Sequence, residues 1–104
     1  MPRATASIGN TVIAEADSWE EVEGNIYFPR SAIKDATGTF ELRSSDASTF
    51  CPWKGTAGYY DIVVKETGTV ISDAVWYYAE PFEAAEKIRD HVAFYKNKVK
   101  VEVE

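Results

Sequence analysis

Short runs in which apolar and polar residues alternate dominate the chain, and this period of two predicts β-strands. The clearest run is KVKVEVE at the C-terminus, where Val99, Val101 and Val103 alternate with charged residues. It predicts a strand with one face in the core and one in water. Other strands are predicted over residues 11–16, 19–23, 25–28, 39–43, 59–64 and 70–78.

Turn signals separate these strands. Gly24-Asn25 predicts a two-residue hairpin turn, and Lys65–Gly68 predicts a second hairpin loop. Pro29 has no N–H to donate, so we expect strand pairing to stop there and a single helical turn to follow. The sequence SSDAS, residues 44–48, is typical of a loop.

One helix is predicted, over Pro81–Asp90, because Phe82, Ala85 and Ile88 recur at helical spacing behind a proline that suits a first turn. Many short strands joined by hairpins indicate a mainly β fold. We therefore expect a compact single domain, residues 1–104, of curled antiparallel strands with one α-helix in the C-terminal half.

Composition and charge restrict the function. The 104 residues are 45% hydrophobic and carry a net charge of -6. A nucleic-acid backbone attracts clustered lysines and arginines, so nucleic-acid binding is disfavoured. No apolar run approaches the roughly 20 residues needed to cross a bilayer, and the N-terminus lacks the apolar core of a secretory signal. These features predict a soluble cytoplasmic protein without a membrane or nucleic-acid partner.

The segment CPWKG, residues 51–55, holds the candidate chemistry. Cys51 is the only cysteine, which excludes an internal disulfide and a multi-cysteine zinc site. Its thiol is either reactive or a small buried hydrophobe. Lys54 could anchor an anionic ligand or stack over a ring, or its stem could simply lie on Trp53.

Aromatic residues supply the second part of the candidate site. Adjacent strand residues point to opposite faces, so one member of each of the pairs 59–60 and 76–77 should face outward or into a cleft. The predicted ligand-binding set is Trp53, Lys54, Tyr59, Trp76 and Tyr78. Cross-strand ring pairing that only stabilises a sheet is the alternative.

His91 is a third catalytic candidate beside Cys51 and Lys54, since imidazole titrates near neutrality; the alternative is a helix C-cap. No local spacing joins His91 to the aspartates at 46, 61 and 73, so no metal site is expected, and no cofactor motif is present.

Four segments in this order carry a family resemblance: YFP at 27–29, CPWKGTAGYY at 51–60, AVWYYAEP at 74–81 and VAFY at 92–95. The chain resembles the bacterial family known as domain of unknown function 427, and its sequence is similar to those of cyanobacterial members. The resemblance implies no established activity. It implies a β fold similar to methionine sulfoxide reductase B, without that protein's zinc, because the paired CxxC ligands are absent.

Three functions remain open. The first is a domain that binds a small anionic or aromatic ligand in a cleft around CPWKG. The second is a thiol-dependent enzyme using Cys51. The third is a protein-interaction module that docks a partner through exposed tyrosines and an acidic surface; the oligomeric state is left open.

Overall fold

Nine strands form two antiparallel sheets in the computed structural model, which describes residues 2–104. The strands are β1 (Ala4–Ile8), β2 (Thr11–Ala16), β3 (Glu20–Val22), β4 (Asn25–Pro29), β5 (Phe40–Cys51), β6 (Gly55–Val64), β7 (Thr69–Tyr77), β8 (His91–Phe94) and β9 (Lys100–Val103). One sheet has the order β2-β1-β9, and the other has the order β3-β4-β8-β7-β6-β5. The mainly β, antiparallel fold predicted from the alternation is confirmed.

The core lies on both faces of the six-stranded sheet. On β8, Val92 and Phe94 join a cluster that packs against the three-stranded sheet, whereas Ala93 between them joins another cluster on the opposite face. We call these the inter-sheet core and the outer-face cluster. The outer-face cluster consists of Val22, Tyr27, Ala57, Tyr59, Tyr78, Ala85, Ile88 and Ala93. Because both faces are covered, large side chains on either side of a strand become buried.

The α-helix predicted over residues 81–90 is wrong. The described chain has a 3₁₀ segment at Glu83–Ile88 instead, interrupted by Ala85 with φ -120°. Ala85 and Ile88 are buried as expected, because a spacing of three residues also fits the three residues per turn of a 3₁₀ helix. Phe82, which we expected in the core, is 46% exposed. Two shorter 3₁₀ turns span Arg30–Ala32 and Asp35–Thr37.

Two local predictions need correction. Residues 44–48 do not form a loop: they continue β5, and the pairing with β6 shifts register between Ser44 and Ser48. Such a bulge absorbs an irregular polar stretch inside a strand. The first hairpin turns at Glu23-Gly24, one residue earlier than expected. Pro29 is the last residue of β4, and the predicted helical turn follows it.

The C-terminal strand alternates less sharply than its sequence predicts. Val99 is buried, Val101 is half-buried and Val103 is 52% exposed, so the apolar face of the strand becomes more exposed to solvent toward the end of the chain. Within residues 2–104, no helical segment combines the length and the apolar character needed to cross a bilayer. The likeness to methionine sulfoxide reductase B stays a prediction.

Candidate functional site

The CPWKG segment is the tight end of the β5–β6 hairpin. Cys51 pairs with Gly55, and the three residues between them make the turn. Gly55 has φ +116°, where a side chain is strained, and an added Cβ would lie 3.4 Å from the backbone oxygen of Glu80. The N–H of Phe82 donates to the carbonyl of Lys54 at 2.9 Å. The backbone of residues 80–82 therefore holds the hairpin end in place.

Lys54 turns inward from this hairpin and is 8% exposed. Its ammonium donates a hydrogen bond to the Glu23 carboxylate and lies 5.5 Å from the ring centroids of both Trp53 and Tyr78. Burial lowers the pKa of Lys54, but the hydrogen bond to Glu23 and the charge of nearby Tyr27, Tyr78 and Glu23 outweigh burial, so the pKa is raised. The Lys54 side chain is therefore a protonated ammonium beside two aromatic rings.

Glu23 supplies the counterion from a different hairpin. It forms the β3–β4 turn with Gly24, and both residues have positive φ, 54° and 79°. Its side chain is 53% exposed, and the hydrogen bond from Lys54, together with the ammonium charge, lowers the pKa of the carboxyl. Sequence analysis missed Glu23, because the only local signal was an acidic residue before a turn glycine.

The aromatic residues meet across β6 and β7. Tyr59 lies directly opposite Trp76 on the outer face. The Trp76 Nε1 donates to the Tyr27 hydroxyl at 3.0 Å, and the Trp76 ring lies 4.6 Å from that of Tyr95. Tyr95 is 36% exposed, so this ring group has one open side. Tyr27 and Tyr95 were not among the predicted site residues, although both lie in segments that carried the family resemblance.

The five predicted ligand-binding residues lie on one side of the sheet. Tyr59 and Tyr78 belong to the outer-face cluster and Trp76 packs against it, while Lys54 links Tyr78 to Trp53. Whether they bind a ligand stays a prediction. Among residues 2–104, a hollow of about 230 Å³ is lined in part by one member of the set, Tyr78.

Two of the three candidate catalytic residues, Cys51 and His91, lie in different parts of the structure. Cys51 is half-buried and packs against the outer-face cluster, and whether its thiol is reactive stays a prediction. His91 begins β8, and its Nδ1 lies 2.7 Å from the carbonyl oxygen of Arg89. It thus bonds the backbone just after the 3₁₀ segment, and it lines a hollow with Tyr60 and Tyr77 rather than with Trp53 or Lys54.

Three acidic residues that no sequence spacing had joined meet at the β5 bulge. Ser45 donates to the Asp73 carboxylate, and the backbone N–H of Asp73 donates to Asp61 at 2.8 Å. With Asp46 they line an open hollow. Within residues 2–104 no group of three His, Cys, Asp or Glu side chains has the geometry to hold a metal ion.

Comparison with known proteins agrees with the sequence segments noted above. No curated protein matches the chain. The family model described as a domain of unknown function, DUF427, matches residues 3–104, which is nearly the whole chain and includes every strand of both sheets. The protein therefore belongs to the DUF427 family.

Proposed function

We propose that this domain binds a small anionic or aromatic ligand at the CPWKG hairpin. The observation that carries the proposal is the position of Lys54, a buried ammonium between the rings of Trp53 and Tyr78. Its ion-pair partner, Glu23, is on an exposed side chain at a hairpin turn. A cation fixed beside aromatic rings suits an acidic group attached to a flat apolar body.

Binding proceeds by exchange of anions. A buried ammonium that loses its partner is strongly destabilising, so Lys54 needs a carboxylate or an equivalent group at all times. An anionic ligand can take the place of Glu23, which then returns to water at little cost because its side chain is already more than half exposed. Trp53, 40% exposed, offers a ring surface for the rest of the ligand.

Glu23 also limits the affinity. As a tethered competitor it has an effective concentration on the order of millimolar, so the ligand must bind better than an average carboxylate. Replacing Glu23 by glutamine removes this competition and should strengthen ligand binding. A ligand that gains only from the aromatic rings would be indifferent to the same change, which separates the anionic from the aromatic form of the proposal.

Thermal-shift screening of aromatic carboxylates, aromatic phosphates and their neutral analogues tests the proposal. We expect anionic compounds to raise the melting temperature of the wild type by more than that of Lys54→Gln. Lys65→Gln is the matched control, since Lys65 is exposed in the loop at the other end of β6 and loses the same charge. Equal shifts in wild type and Lys54→Gln, or none in either protein, would overturn the proposal.

One observation keeps the interaction-module hypothesis as a second candidate. Phe50 and Phe82 are 66% and 46% exposed and meet edge-on at 6.2 Å beside the same hairpin. Exposed apolar patches of this kind mark protein contacts more often than chance. We propose self-association through this patch as the form to test. Light scattering after size exclusion should show a dimer that Phe50→Ser dissociates, and a monomer at high concentration would contradict it.

A further inference from the structure

A hollow of about 230 Å³, whose lining does not include Lys54, lies where the ends of β4, β7 and β8 meet. Stacked tyrosine rings, a guanidinium, an imidazole and a carboxylate line it: Tyr60, Tyr77, Arg30, His91 and Asp90. Tyr60 and Tyr77 pack against the inter-sheet core, so they occupy the opposite sheet face from Tyr59 and Trp76. Tyr78 is the one residue that this hollow shares with the predicted ligand set.

The two tyrosines form a stacked aromatic pair beside the hollow. Their ring centroids are 4.6 Å apart with an interplanar angle of 22°. Tyr77 lies across Gly58: a Cβ added there would come within 2.7 Å of the Tyr77 Cζ and hydroxyl oxygen. Burial, together with the neighbouring Tyr60 phenol, raises the pKa of Tyr77, so its hydroxyl stays a hydrogen-bond donor at neutral pH. Because glycine has no Cβ, position 58 leaves space for the Tyr77 ring.

Arg30 provides unused donors. Its two terminal nitrogens each donate one hydrogen bond to Asp35, at 2.9 and 3.4 Å. A guanidinium has five N–H groups, which leaves three for another acceptor. The backbone N–H of Arg30 donates to the carbonyl of Asp90 at 2.8 Å, which holds this wall of the hollow in register.

His91 provides a hydrogen-bond acceptor at a defined ring nitrogen. The carbonyl of Arg89 can only accept, so the Nδ1 of His91 carries the proton in their 2.7 Å bond. With the proton on Nδ1, the Nε2 is left as a hydrogen-bond acceptor. Asp90 beside it, and Asp35 on Arg30, limit the negative charge that the hollow can accept.

We propose that this hollow is a second binding site, separate from Lys54, and that it takes a planar monoanion of single-ring size, such as an aromatic carboxylate. The ring packs against the stacked Tyr60–Tyr77 pair, and the carboxylate accepts hydrogen bonds from the free N–H groups of Arg30. The volume falls below the roughly 300–1,000 Å³ of pockets for drug-sized ligands, which restricts the occupant to one ring. The two nearby aspartates disfavour a dianion.

Titration of ¹⁵N-labelled protein with benzoate, followed by amide chemical shifts, tests the site. We expect saturable shifts at residues 77–79 and 90–92, and weaker ones with benzamide, which has the same shape without the charge. Arg30→Gln should raise the Kd about tenfold or more, the loss expected for a charged hydrogen bond. Arg43→Gln is the matched control: Arg43 is an exposed arginine that also pairs with a carboxylate, at 2.9 Å.

Gly58→Ala gives a second variant that leaves every charge in place. Position 58 has an ordinary strand backbone, so alanine disturbs the Tyr77 ring rather than the fold. Benzoate binding should weaken while the dispersed amide spectrum is kept. Lys54→Gln should show the same benzoate-induced shifts at these amides as the wild type. A negative result for ligand binding at Lys54 would therefore leave the second-site proposal standing. Benzamide binding as well as benzoate, or shifts confined to other residues, would overturn the second site.

Discussion

The ammonium of Lys54 and the carboxylate of Glu23, 31 residues apart in sequence, form an ion pair between the turns of two separate hairpins. One hairpin is β3–β4 and the other is β5–β6, which lie at opposite edges of the six-stranded sheet. Their meeting requires the sheet to curl so that both turns reach the same side. The pair thus reports the curvature of the whole domain, and it is the contact that an anionic ligand would have to replace.

The first prediction concerns pH. The pKa of Glu23 is lowered in the folded protein, so the ion pair stabilises the fold above about pH 4.5, the ordinary value for glutamate, and this contribution is lost as the pH falls through the lower folded value. The pKa of Lys54 is raised, so the same contribution is also lost as the pH rises beyond 10.5 and through the higher folded value. Wild type and Glu23→Gln should therefore differ most in melting temperature between these limits.

Melting curves from pH 3 to 11 measure this difference. Glu86→Gln is the control, because Glu86 pairs with Arg89 on an exposed surface where such pairs stabilise little. Equal melting temperatures for Glu23→Gln and the wild type at pH 7 would contradict the prediction, because the ion pair of Glu23 with Lys54 would then not stabilise the fold.

The second prediction concerns Gly55. Alanine at φ +116° is strained, and its Cβ would also contact the backbone of residues 80–82, so we expect Gly55→Ala to lower the free energy of unfolding by about 1–3 kcal/mol. Gly68→Ala is the matched control: Gly68 also has positive φ, 73°, but nothing lies within 4 Å of an added Cβ. Urea denaturation of both variants gives the comparison, and an equal loss in the two would show that contact with residues 80–82 adds nothing.

The strands could be predicted from sequence because a half-buried sheet requires alternating side chains. The same alternation shows that Tyr59 and Tyr60 occupy opposite faces, but not what covers each face. We expected one of them to face outward or into a cleft. In the structure Tyr59 lies in the outer-face cluster and Tyr60 stacks on Tyr77 against the inter-sheet core. Whether a face is covered depends on how distant segments fold over it.

The candidate site could be predicted in part, because part of it depends on local strand pairing. Strand pairing between 59 and 76 follows from a hairpin, which is a local feature, and it brings two of the predicted rings together. The partnership of Lys54 with Glu23 depends on sheet curvature, and no local pattern encodes it. The mistaken α-helix has a different cause: burial every third residue at 85 and 88 is compatible with either type of helix.

The third prediction concerns the Cys51 thiol. Its side chain is half-buried against the outer-face cluster, so iodoacetamide should label it more slowly in the native protein than in urea. The enzyme hypothesis requires the reverse, a native thiol that reacts faster than an unfolded one. Labelling followed by mass spectrometry at several pH values decides between them. Lys54→Gln serves as the control, because a thiol activated by that ammonium would slow down in the variant.

The last prediction concerns the hydroxyl pair of Tyr59 and Tyr95. The Tyr95 hydroxyl donates to that of Tyr59 at 3.5 Å, and Tyr59 in turn bonds the Thr49 hydroxyl at 2.8 Å. The bond to Tyr59, followed by burial, raises the pKa of Tyr95 to about 12. Because the folded pKa lies above the ordinary 10.0, this contribution to stability is complete below pH 10 and is lost as the pH rises through about 12.

Tyr59→Phe removes the acceptor and keeps the ring, so we expect the titration midpoint of Tyr95 to move back toward 10 while the fold persists. Ultraviolet difference spectra or ring carbon shifts follow the ionisation. Tyr60→Phe is the matched control, since Tyr60 stacks on Tyr77 on the other face of the sheet and should leave Tyr95 unaffected. An unchanged midpoint in Tyr59→Phe would contradict the prediction, because it would mean that burial alone, and not the hydrogen bond to Tyr59, raises the pKa of Tyr95.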